Sequence, residues 1–128
     1  MSKKALIITD GTESTRNIAG LIEGALKGFS VKTSTPESFE GTDILCADVF
    51  FIGCEKPSPA SFSYLEDMLL HINLASRKCG VFSVNDKSLK YLSGIVKDSE
   101  AALGSPLHVV SNPVPQKPLQ NWVNKILN

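Results

Sequence analysis

The hydrophobic pattern opens with an uninterrupted apolar run at residues 5–8, Ala-Leu-Ile-Ile, which suits a strand covered on both faces in a parallel sheet. Ile18, Leu21, Ile22, Ala25 and Leu26 then recur at helical spacing, with Ser14 or Thr15 available as N-cap and Gly28 placed to end the helix. Phe29, Val31 and Thr33 alternate with Ser30 and Lys32, which predicts a half-exposed strand at a sheet edge. Residues 36–40 allow at most a short helix. The uniformly apolar run 49–52, bracketed by Asp48 and Gly53, predicts a central strand.

Farther along, Ser63 and Glu66 have the spacing of a capping box, and Phe62, Leu65, Leu69 and Ile72 mark one helix face. A buried strand follows at 80–84, then a helix carrying Leu89, Leu92, Val96 and Leu103, then a last strand at 107–110. Leu119, Trp122, Ile126 and Leu127 give a terminal helix started near Pro118. Strands alternating with helices imply right-handed crossovers and a parallel sheet covered on both faces. The expected fold is a single α/β domain over residues 1–128, a three-layer doubly wound sandwich with a five-stranded parallel sheet of order 2-1-3-4-5. Ligands of such sheets bind beyond the carboxyl ends of the strands, here the loops 9–15, 53–61 and 83–88.

Composition narrows the class. The chain has 128 residues, 42% of them hydrophobic, enough for one core. Thirteen Lys plus Arg balance thirteen Asp plus Glu, so nucleic acid is not an expected partner. Cys46, Cys54 and Cys79 form no C-x-x-C pair, and an odd count points to reduced thiols in the cytoplasm. The apolar run at 5–8 is too short for a signal peptide or a membrane span.

The candidate chemistry lies after the first strand. Thr9, Asp10, Gly11, Thr12, Glu13, Ser14 and Thr15 put four hydroxyls and a glycine between a buried strand and a helix N-terminus. Hydroxyls and helix amides donate to an anion, and the helix dipole favours negative charge there. Plain capping uses the same residue types. Cys54, at the end of the central strand, reads as a small buried hydrophobe, with a flavin contact or reactive thiol as the alternative. His71 and His108 show no ligand spacing, and Trp122 fits the core. Neither a metal site nor a catalytic constellation is expected.

On these features the chain resembles the flavodoxin family: the strand, hydroxyl loop and helix; then Ala47-Asp48-Val49-Phe50-Phe51-Ile52-Gly53-Cys54 before a proline-bearing loop; then Gly80-Val81-Phe82-Ser83. The resemblance implies an electron carrier that binds FMN and meets a redox partner protein. The FMN phosphate would lie on Thr12, Ser14, Thr15 and the amides of 11–16. Gly53, Cys54, Glu55 and Lys56 would flank the ring on one side, and Ser83, Asn85 and Asp86 on the other. Two positions depart from the family pattern: Asp10 stands where Ser or Thr is usual, and Glu13 where Gly is usual. A carboxylate about 4 Å from a phosphate charge costs on the order of 4 kcal/mol at an effective dielectric near 20. Neither ring loop carries an aromatic side chain, and the chain lacks the net negative charge of a free shuttle. The alternative is a flavodoxin-like module that has lost FMN and acts as a protein-interaction or regulatory domain. A phosphoacceptor receiver is disfavoured, because Gly53 and Cys54 replace its phosphorylated Asp and Ser111-Asn112-Pro113 its lysine. A phosphatase would need a cysteine within 9–15, and there is none.

Overall fold

β1 (Lys3–Thr9) is buried from residue 5 onward, because both faces of its apolar run are covered by helices. The structure, a computed structural model, describes residues 3–110 and 113–128, so Ser111 and Asn112 lie outside the described residues. α1 (Glu13–Ala25) follows, and Leu26 and Gly28, the latter at φ 84°, turn the chain into β2 (Phe29–Ser34). α2 (Gly41–Cys46) leads to β3 (Val49–Gly53), which is buried along its whole length. α3 (Ser63–His71), β4 (Lys78–Ser83) and α4 (Asp86–Lys97) come next. Two short strands, β5 (Ala102–Leu103) and β6 (Leu107–His108), and α5 (Gln116–Leu127) complete the order.

All pairings are parallel, in the order β2-β1-β3-β4-β5, with β6 also on β4. Side-chain alternation divides the core. Leu6, Ile8, Phe50 and Ile52 face Ile44, Leu65, Leu69 and Leu92, while Ile7, Val49 and Phe51 face Ile18, Ile22, Trp122 and Val123. β2 is the half-exposed edge strand that its alternation predicts.

Four local expectations change. The weak helix lies at α2 rather than 36–40, with the Asp43 carboxylate accepting the Glu40 amide at 3.0 Å. The Ser63–Glu66 capping box does not form: Ser63 donates to the Ala60 carbonyl at 3.0 Å, and Glu66 takes the Tyr91 hydroxyl. Neither Ser14 nor Thr15 caps α1, whose N-cap position is Thr12. Leu103 leaves the helix and joins the sheet, so the last strand is longer than 107–110 and broken in the middle.

The break has a packing cause. A Cβ at Gly104 would lie 2.8 Å from Ile126 Cγ1, the Trp122 indole N–H donates to the Ser105 carbonyl at 2.6 Å, and Pro106 has no amide to give the ladder. α5 thereby holds the split strand against β4. Gly80 is similarly constrained, since an added Cβ would meet Ile126 at 2.5 Å and both Phe51 and Trp122 at 2.9 Å. Replacing Gly80 with Ala is therefore expected to cost about 1–3 kcal/mol in urea unfolding. Gly94→Ala, mid-helix with nothing within 4 Å of the new Cβ, should be neutral or stabilising by up to about 1 kcal/mol.

Candidate functional site

Thr9 pairs with Gly53 in register, so the β1–α1 loop and the loop after β3 leave the sheet side by side. Gly11 adopts φ 82°, a conformation glycine takes without strain, and its amide donates to Thr9 Oγ1 at 3.3 Å. This turn points the Asp10 side chain back into its own loop. Asp10 Oδ1 accepts from the Thr12 amide (3.2 Å), Thr12 Oγ1 (2.8 Å) and Thr15 Oγ1 (2.6 Å). Asp10 Oδ2 accepts from the Glu55 amide at 2.7 Å. A hydroxyl has one proton; with both protons directed at Asp10, the 2.9 Å contact between Thr12 Oγ1 and Thr15 Oγ1 carries none.

Burial alone would push the Asp10 carboxyl up. The hydrogen bonds from Thr15, Glu55 and Thr12 outweigh that and hold it below the ordinary carboxylate value, so Asp10 is ionised at neutral pH. No cation is bonded to it: the ion pairs among the described residues are Lys32–Asp43, His71–Asp67 and Lys90–Asp86, and neither Arg16 nor Lys56 takes part.

Glu55 joins all three carboxyl-end loops. Its amide donates to Asp10, its Oε2 accepts from Ser14 Oγ at 2.9 Å, and its carbonyl accepts from Ser88 Oγ at 3.0 Å. One residue earlier, the Cys54 carbonyl accepts from Ser83 Oγ at 2.5 Å. The family resemblance names Glu55 as a ring-loop residue but not this bridging role, and the sequence reading includes Ser88 only as the end of the loop 83–88. Both depend on contacts more than thirty residues apart.

The remaining candidate residues support the crevice floor, cap α4 or stand exposed at the surface. Gly53 is buried, and a Cβ there would lie 2.2 Å from the Phe82 ring, so core packing alone requires this glycine. Cys54 is buried, and its thiol is pushed up to about 12, first by burial and then by the nearby Asp10 charge. Ser83 is buried on the Cys54 carbonyl, and Asn85 caps α4 by accepting from the Lys87 amide at 2.9 Å. Asp86 faces Lys90 at 3.6 Å, and Lys56 and Glu13 are exposed.

FMN, the cofactor that the family resemblance implies, can be tested against these residues. Its phosphate would need the Thr12 and Thr15 hydroxyls, which already converge on an ionised carboxylate. Its ring would need aromatic cover. Phe62 is instead buried against Tyr91 at 6.2 Å between centroids, the Tyr91 hydroxyl donates to Glu66, and Tyr64 tilts onto Phe39 at 5.4 Å. The first helical amide bond runs from Arg16 to the Thr12 carbonyl, which leaves the amides of Glu13, Ser14 and Thr15 outside the helical ladder. Those amides suit an anion, but the hydroxyl cradle does not fit a phosphate while Asp10 fills it.

No protein-family model and no curated protein matches the chain. Solved structures do. A Streptococcus pneumoniae flavodoxin superposes with a TM-score of 0.81 at 16% identity, over 98% of both chains. A short-chain flavodoxin associated with a bacterial microcompartment gives 0.80 at 14% identity, over 99% of this chain and 97% of that one. The response regulatory domain of mrkE from Klebsiella pneumoniae gives 0.55 at 15% identity, over 97% and 94%. No helix among the described residues is long and apolar enough to cross a membrane. With its sheet order and flanking helices, the chain has the flavodoxin-like α/β fold.

Proposed function

We propose that this chain works as a flavin-free flavodoxin-like domain that acts through a protein partner. The observation that carries this proposal is the Asp10 carboxylate, which takes the hydroxyls and the neighbouring-loop amide that a phosphate would need. A phosphate charge beside it would meet repulsion on the order of 4 kcal/mol, or roughly a thousandfold in Kd. Glu55 supports the same proposal by tying the crevice loops to one another, and the buried, neutral Cys54 thiol gives the crevice no nucleophile. Three unpaired cysteines fit a reducing compartment, so we place the domain in the cytoplasm.

The second function to weigh is the FMN electron carrier. It is favoured by the flavodoxin neighbours, one of which, a Fusobacterium nucleatum flavodoxin mutant of 12% identity, is bound to flavin mononucleotide. The free amides at the start of α1 would serve it. Flavin itself would supply the electron chemistry, and the chain's part would be to orient it.

Two outcomes separate these functions. Purified protein is expected to show no visible flavin absorbance and none after FMN addition and desalting, while the Asp10→Ser, Glu13→Gly double variant gains FMN affinity on the order of a thousandfold. Flavin retained by the native chain would establish the carrier instead.

The Asp10 network also sets a pH dependence. A carboxyl lowered in the folded state contributes stability above its unfolded pKa of about 3.9, and that contribution is lost as pH falls through the folded value. Asp10→Asn should therefore cost about 1–3 kcal/mol in urea unfolding at neutral pH, because an amide group cannot accept from all these donors. The gap between variant and native chain should narrow below pH about 3.9.

A further inference from the structure

We propose that the groove between the start of α1 and the chain leaving β4 and β6 docks a protein segment that sets a lysine or arginine beside a branched aliphatic side chain. This deepens the partner-dependent function above and rests on it. The groove has a volume of about 360 Å³, with Ile18, Val84, Val109 and Val114 on its apolar side and Glu13 and Glu55 on its acidic side. Val84 is 37% exposed, and Val110, next in the chain after Val109, is 83% exposed. Of the five large apolar side chains exposed among the described residues, Val84 lines this groove.

Charge selects the occupant. Among the described residues no cation lines the groove, and neither Glu13 nor Glu55 belongs to an ion pair. Glu55 receives a hydrogen bond from Ser14, which leaves its negative charge uncompensated. An anionic ligand or an anionic lipid surface would be repelled by both carboxylates. A purely apolar ligand would strip water from them and return nothing. A cationic side chain satisfies the carboxylates, and an aliphatic neighbour on the same segment covers the valines, so both walls are matched only when the two groups arrive together.

The test is selection of a phage-displayed random dodecapeptide library on the full, immobilised chain. Enriched peptides are expected to pair Lys or Arg with Val, Ile or Leu, to bind more weakly as salt rises, and to shift the amide resonances of Val84, Val109 and Glu55. Glu13→Lys and Val84→Asp, both surface changes, should each weaken such a peptide roughly tenfold. Acidic or uncharged consensus peptides, binding mapped to another face, or no enrichment over a bare surface would overturn the proposal. Flavin retained by the purified protein would instead remove the flavin-free function, and the peptide result would stand or fall separately.

Discussion

An ionised carboxylate that has lost part of its water must find donors within the protein, and Asp10 finds them on both sides of the crevice. Thr12 and Thr15 supply its own loop's donors, and the Glu55 amide supplies the one from the loop after β3. Because the far partner is a backbone amide, the bond fixes loop against loop rather than one side chain against another. The Ser14 and Ser88 hydroxyls then hold Glu55 from either side, so the three carboxyl-end loops form one bonded unit. The disposition of the whole edge, and with it the case against a phosphate ligand, depends on that one charge staying ionised.

The sheet makes this contact possible. Thr9 and Gly53 are register partners at the ends of adjacent central strands, so Asp10 and Glu55 emerge as neighbours although forty-five residues separate them. Gly53 stays small for Phe82, which keeps β3 and β4 in close contact beneath the loops. On the opposite flank, Trp122 and Ile126 press the broken last strand onto β4, in the core cluster that also takes in Val109 and Val114. The carboxyl end of the sheet thus presents hydrogen-bonded loops beside an acidic, valine-walled groove.

Much of the fold is readable from the chain. β1 and β3 are continuous apolar runs, and the alternation in β2 marks the edge, because burial on two faces or one leaves different periods. The failures have local causes. α2 is six residues long, too short to print a period, and its start depends on a carboxylate–amide bond. Leu103 continues the helical spacing of Leu89, Leu92 and Val96, but Glu100 at φ 66° ends that run, and glutamate is not a residue that announces such a turn. At the site, position and hydroxyl content are legible in residues 9–15. The direction of the Asp10 carboxylate is not, because it depends on the geometry of its own loop's donors together with an amide from another loop.

The most direct measurement is a carbon-detected NMR titration of the Asp10 carboxyl, followed together with the Glu55 amide proton. If the carboxylate fills the cradle, Asp10 titrates below the ordinary aspartate value of about 3.9, and the Glu55 amide shifts with the same midpoint. An ordinary Asp10 titration with a Glu55 amide that ignores it would place the carboxylate in solvent, leave the hydroxyls free for a phosphate, and contradict the account.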